Sequence, residues 1–224
     1  MKTILIIIVF YICGFNLTNM EIREKILEGA GKLFVEHGTR QVTMDAIAQS
    51  LGISKRTIYE NFKDKNDLLS NFLLEAMMQH KKKSIEILKN AQNVIDALFK
   101  FGEFNQESLK GINPCFFGDI KKYHPEVFKT IMGNDQLKNY EVTYTLLKRG
   151  INEGNFRKEL DIEVVNLFIH HSMEFFQKMT EEKNIPHQTI WTSVHLPYLR
   201  GICTEKGQDL IKGFMDKYEN SVNN

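Results

Sequence analysis

The residues with the clearest chemistry stand between Ile53 and Lys65, in the stretch ISKRTIYENFKDK. Lys55 and Arg56 supply cations, Ser54, Thr57 and Tyr59 supply hydroxyls, Asn61 supplies an amide, and Lys65 adds a further cation. Side chains of these types bond phosphate oxygens, and Lys, Arg and Asn also reach the hydrogen-bonding edges of bases in a major groove. Ile53, Ile58 and Phe62 interrupt the polar residues at spacings that suit one buried helical face. A helix seated by those apolar residues holds Lys55, Arg56, Thr57, Tyr59 and Asn61 outward at a fixed angle. The competing reading is a solvated helix on a helical bundle, which carries the same polar residues and binds nothing.

The flanking sequence supplies the elements that would position this stretch. From Met20 to His37, residues Ile22, Ile26, Ala30, Leu33 and Phe34 recur at three- and four-residue steps, which predicts a first helix with one apolar stripe, ended by Gly38. Thr43 can N-cap a short second helix that ends near Leu51, with Gly52 in the turn. Ser54 caps a third helix from Lys55 to Asn61, and a long fourth helix starts near Asp64. Ala48, Gly52 and Ile58 then fall where a helix-turn-helix needs a small residue at the crossing, a glycine in the turn and a branched residue seating the second helix.

In one gap-free run, Ala30, Phe34, Gly38, Thr43, Ile47, Ala48, Gly52, Ser54, Thr57, Tyr59, Phe62 and Lys65 match a known pattern. Over about residues 22 to 69 the chain resembles the DNA-binding domain of TetR-family transcriptional regulators. The resemblance implies that Thr43, Tyr59 and Lys65 bind phosphates and that Lys55, Arg56 and Thr57 lie nearest the bases. It also implies a homodimer on a pseudo-palindromic operator, with a ligand-sensing and dimerising domain following the DNA-binding one. Where that family often has glycine between the third-helix lysine and threonine, this sequence has Arg56.

Beyond Lys81 the apolar spacing predicts several amphipathic helices without a sharp motif, punctuated at Gly111 to Pro114, Gly133, Gly150 to Gly154, Pro186 and Gly201 to Gly207. Aromatics are dense there, and Phe104, Phe116 and Phe176, with Cys115, His124, Tyr144 and His170 as polar handles, are candidates to line a pocket for a small apolar effector. Each aromatic taken singly also fits an ordinary core. Lys81 to Lys83 reads as a solvated basic turn or a DNA contact. His170 and His171 are adjacent, so on a helix they point about 100 degrees apart and do not share an ion. No metal, cofactor or enzymatic activity is expected.

Composition sets the class. Four prolines in 224 residues leave few helix breakers, so the expected fold is all-α: a three-helix DNA-binding head joined by a long helix to a helical bundle that dimerises. With 29 basic against 28 acidic residues, the whole chain has no field to attract nucleic acid or membrane, and any electrostatic footprint is local. Three scattered cysteines, Cys13, Cys115 and Cys203, build neither a disulfide framework nor a zinc site and suit a reducing compartment. The opening MKTILIIIVFYICGFNLTN has an apolar run that reads alone as a signal-peptide core, but no small-x-small cleavage site follows it. Translation from Met20 and a cytoplasmic protein are therefore expected. The expected division is a leader over 1–19, a DNA-binding domain over 20–66, and a sensing and dimerising domain over 67–224. Two alternatives stay open: a secreted or membrane-tethered helical binding protein, and a DNA-binding dimer with no small-molecule inducer.

Overall fold

The computed structural model describes residues 21–109, 111–134, 140–183 and 185–222, which are helical almost throughout, with an isolated antiparallel bridge between Phe156 and Cys203. Helices α1 (Ile22–His37), α2 (Met44–Leu51) and α3 (Lys55–Asn61) precede the long α4 (Lys65–Asn90), α5 (Val94–Leu109), α6 (Phe116–Tyr123) and α7 (Pro125–Met132). The chain continues through α8 (Tyr140–Asn152) and α9 (Ile162–Lys183) to α10 (His187–Ile190), a π-helical turn (Trp191–His195), α11 (Leu196–Ile202) and α12 (Glu205–Val222). The fold is all-α, as composition and periodicity predict. Residues 1–19 and Met20, on which the expected start rests, lie outside the described residues.

Local chemistry sets the first boundaries. The α1 helix stops where Gly38 takes φ 80°, a region costly for residues with a Cβ. The Thr43 hydroxyl accepts the Ala46 N–H at 3.1 Å and starts α2. At the other end of α2, Gly52 is left-handed at φ 64°, its N–H bonds Gln49 O and the Ile53 N–H bonds Ala48 O, a Schellman ending. Ser54 Oγ then accepts the Thr57 N–H at 3.0 Å, and Asp64 Oδ1 accepts the Asp67 N–H at 2.9 Å, so α3 and α4 are each capped from their own sequence.

One compact unit comprises the described residues up to Lys83 together with those from Asn105 to Lys138. Its core joins Ile26, Ala30 and Phe34 of α1 to Ile47, Ile58, Phe62 and Phe72, and adds Phe116, Phe117, Ile120, Val127 and Ile131 from α6 and α7. Each fully buried side chain of this size contributes about 1.5–3 kcal/mol. Gly31 is required for this packing, because a Cβ there would lie 2.2 Å from the Phe72 ring. The first-helix stripe is wider than the spacing suggests: Leu27 and Val35 are buried too, while Ile22 is exposed. The α6–α7 hairpin was not foreseen as part of this core, although Phe116 and Ile120, and Val127 and Ile131, have helical i, i+4 spacing and Pro125 sits at the start of α7.

The second compact unit comprises residues 84–104 and the described residues from Tyr140 onward. Leu88, Val94, Ile95, Leu147, Phe156, Ile202 and Ile211 form its core, and Phe99 stacks on Phe214 with ring centroids 4.8 Å apart. By contacts the two units divide within α4 and α5. Three glycines expected as punctuation lie inside helices: Gly150 in α8, Gly201 in α11 and Gly207 in α12. At Gly150 the reason is packing, since a Cβ would meet the Phe156 ring at 2.1 Å. At Gly207 it would meet the Asn155 carbonyl oxygen at 2.2 Å. Lys81 to Lys83 lies within α4, not in a turn.

Candidate nucleic-acid interface

Ile58 is fully buried and Phe62 nearly so, with Ile53 partly buried beside them. These residues fix the azimuth of α3, so its opposite face is solvent-facing: Lys55, Arg56 and Tyr59 are exposed. Thr57 and Asn61 are half-buried. The Asn61 amide donates to the Thr57 carbonyl at 2.9 Å, and the Thr57 and Ser54 hydroxyls share a 2.8 Å bond. Ser54 is thus engaged in capping, and Asn61 in closing α3, which spacing alone did not show. Of the sequence candidates on this helix, Lys55, Arg56 and Tyr59 remain as its outermost reach.

Both α3 cations are paired. Lys55 Nζ lies 2.8 and 2.9 Å from the two carboxylate oxygens of Asp45 on α2, and Arg56 Nε lies 2.9 Å from Glu60 Oε1 one turn further along α3. The hydrogen bond that Lys55 donates to Asp45 holds its ammonium above the ordinary lysine range. Arg23 lies over the Phe62 ring at 4.8 Å and bonds Asn71 Oδ1 at 2.8 Å, pinning α1 to α4 behind the helix-turn-helix.

Lys65 has a different setting. It opens α4 half-buried, and burial pulls its ammonium below the usual lysine range against the opposing pull of Asp119. Asp119 on α6 accepts the Arg40 N–H at 3.0 Å, and Asn113 donates its amide to Glu36 O at 3.2 Å and its backbone N–H to Val35 O at 2.8 Å. The end of α1 and the turn leading to the Thr43 cap are therefore held by residues 77 to 79 positions later in the chain. His124 bonds Asn66 Oδ1 through Nδ1 at 2.5 Å; burial and the Lys65 cation lower its pKa, partly offset by Asp119.

The family described as bacterial regulatory proteins, tetR family, matches residues 26–71, which run from the buried part of α1 into α4. Residues 26–71 are a TetR-type DNA-binding domain. An HTH-type transcriptional regulator of Staphylococcus aureus (strain USA300) is 28% identical over 127 residues, covering 49% of this chain and 69% of its own. Among solved structures, a TetR-family regulator from Agrobacterium tumefaciens superposes with TM-score 0.58 at 16% identity, over 81% of this chain and 97% of its own. The fatty acid degradation regulator FadR from Bacillus halodurans gives 0.53 at 20% identity, over 81% and 96%. At those identities the two structures establish the shared fold. The match over residues 26–71 and the regulator relatives support a DNA-binding transcriptional regulator rather than an enzyme.

The effector candidates divide between the two units. Cys115, Phe116 and His124 lie in the first, where Phe116 is fully buried in the core beside α1 and α4, and Cys115 is an exposed free thiol before α6. Phe104, Tyr144, His170 and Phe176 lie in the second. There His170 Nε2 is 3.2 Å from Thr143 Oγ1, its ring is 4.0 Å from that of Tyr140, and the Phe176 ring is 4.6 Å from His195, a histidine whose pKa burial lowers. Tyr140, Thr143 and His195 were not singled out in the sequence. Their approach to His170 and Phe176 depends on contacts between α8, α9 and the π-helical turn that spacing does not encode. Among the described residues no helix is long and apolar enough to cross a membrane.

Proposed function

We propose that this regulator binds a pseudo-palindromic DNA operator as a homodimer, with α3 in the major groove, and represses transcription until a small, mostly apolar effector releases it. The observation that carries the reading is the exposed Lys55, Arg56 and Tyr59 face on a helix whose azimuth is set by buried Ile58 and Phe62. Thr43 and Ser54 at the N-termini of α2 and α3, and Lys65 at the start of α4, add donors for phosphate, with Thr57 and Asn61 beside the bases. Residues 20–66 form the reading head in this scheme and 67–224 the sensing and dimerising part, working in the cytoplasm where the operator is.

Dimerisation is supported by α9, where Val164, Leu167, Phe168 and Phe175 are exposed along one face; Val164 and Phe175 are each about 60% accessible (61% and 60%). A second copy seated there supplies the two heads that a two-fold operator requires. The test is an operator selected from a randomised duplex pool and titrated by fluorescence anisotropy. Two chains should bind per site, and Arg56→Ala, Tyr59→Phe and Lys65→Ala should each weaken binding, Arg56→Ala by about 1–3 kcal/mol, with a flatter salt dependence where a phosphate contact is lost. Unchanged affinity and salt slope in all three variants would exclude α3 as the reading element.

Effector binding is proposed for the second unit around Tyr144, His170 and Phe176, where aromatic rings meet a few polar groups. An inducer must prefer the conformation whose heads mismatch the operator, since equal binding to both states shifts nothing. A coupling of about 1–3 kcal/mol lowers operator affinity roughly 5- to 150-fold, and operator lowers effector affinity by the same factor. A fatty-acid and aromatic-acid panel, titrated with and without operator, tests this. Ligands with identical affinity in the two titrations are passengers, and the induction mechanism is then wrong.

A further inference from the structure

Two exposed carboxylates sit against the very cations that α3 offers to DNA. Asp45 grips Lys55 through both oxygens, and Glu60 holds Arg56 from one turn away. Neither carboxylate is buried: Asp45 is 72% accessible and Glu60 57%. Exposed pairs of this kind add little to folding, so stability gives them no evident purpose. Their place is also unfavourable for plain DNA affinity, because a carboxylate carried up to a polyanion is repelled.

We infer that Asp45 and Glu60 are specificity-determining residues, which hold Lys55 and Arg56 as neutral pairs so that duplexes of arbitrary sequence gain little from either cation. The inference rests on the proposed DNA-reading role of α3. On a non-cognate duplex Lys55 has two choices. It stays with Asp45 and releases no counterions from the DNA, or it turns to a phosphate and leaves Asp45 unpaired beside the backbone. Arg56 and Glu60 face the same alternatives. A cognate site offers a third outcome, because a guanine presents O6 and N7 to Lys55 or Arg56 in a bidentate contact that outweighs the loss of an exposed ion pair. Glu60, once released, matches the N4 amino group of a neighbouring cytosine, the base edge that carboxylates accept from. The pairs therefore penalise backbone-only binding, which every sequence offers, and leave the contacts that only some sequences offer.

The experiment uses the full chain with Asp45→Asn, Glu60→Gln and the double variant, and Glu159→Gln as a control. Glu159 is an exposed carboxylate of the second unit, so its variant matches the charge change of either single variant without touching α3. Affinity is measured by anisotropy for the pool-selected operator and for a scrambled duplex, across a salt series. The double variant should bind scrambled duplex about tenfold more tightly, steepen the slope of log affinity against log salt by about one to two, and lower the operator-to-scrambled ratio by a similar factor. The control should leave ratio and slopes where they are. Scrambled-duplex affinity and slope unchanged in the double variant overturn the inference, as does an equal gain on both duplexes, or the same gain in the control. Wild-type protein that binds neither duplex overturns the DNA-reading role itself, which separates that failure from failure of the inference.

Discussion

Arg149→Met should lower the unfolding free energy by about 3–5 kcal/mol, measured by urea denaturation at neutral pH. Arg149 donates to the carbonyls of Leu88 and Ala91 (2.8 Å to the latter), and its Nε lies 2.5 Å from Glu153 Oε1. It thereby satisfies the C-terminal end of α4, where last-turn carbonyls have no helical donors. Glu153 answers from just past the end of α8: its Oε2 accepts the Val94 N–H of α5 at 2.7 Å and the Asn155 amide at 3.0 Å. Three segments of the second unit converge on one ion pair, with both side chains about three-quarters buried (26% and 25% accessible). Removing the guanidinium strands a carboxylate and two carbonyls at once, hence the large expected loss. Arg149→Lys should recover only part of it, because one ammonium cannot reproduce a planar fork bonded in three directions. Full recovery by lysine, or a loss under 1 kcal/mol, would show that the network is ornamental to stability.

Acidification should destabilise the fold through His80. This α4 histidine is only 3% accessible, and burial lowers its pKa to about 4, despite the opposing hydrogen bond with Asn105 at 3.3 Å. The folded chain keeps the ring neutral while the unfolded chain takes up a proton near pH 6.5, so below that pH the unfolded state binds more protons. The contribution is complete above pH 6.5, is lost as pH falls towards about 4, and the loss levels off below that at roughly 3 kcal/mol. At pH 5 about 2 kcal/mol should be gone relative to pH 7.5. His124, also lowered, acts in the same direction. Urea titrations at the two pH values, on wild type and His80→Gln, provide the check. The variant should show a markedly smaller pH dependence, and an identical dependence in both proteins rules out His80 as its source.

The reading head was legible because its determinants are local. Thr43, Gly52 and Ser54 act on backbone groups within four residues of themselves, and each does in the structure what its type predicts. Ile58 and Phe62 set which side of α3 faces out through helical period alone. The missed break between α4 and α5 was equally local: Asn93 Oδ1 accepts the Asp96 N–H at 2.9 Å, an N-cap readable from the sequence.

What only tertiary structure decided is which distant segments complete each unit. Nothing in the pattern of residues 112–132 says that Phe116 and Ile120 pack under α1, or that Asp119 and Asn113 hold the end of α1 and the turn after it. An apolar stripe announces that a helix needs a partner, and hydrophobic attraction is non-directional, so the stripe does not say which partner. Gly150 and Gly207 make the same point. A glycine in sequence predicts a turn, yet here its missing Cβ admits Phe156 and the Asn155 carbonyl into helices, a demand that exists only once those groups are brought alongside. The pairing of Lys55 with Asp45, ten residues apart on different helices, likewise follows from the α2–α3 crossing angle and not from either residue's type. The sequence by itself determined the kind of DNA-binding head, the helical class and the outward face of α3, because caps, turns and helical period act within a few residues. The packing of α6 and α7 on the head, the Arg149 network and the Asp45 grip on Lys55 arose only where separate helices meet.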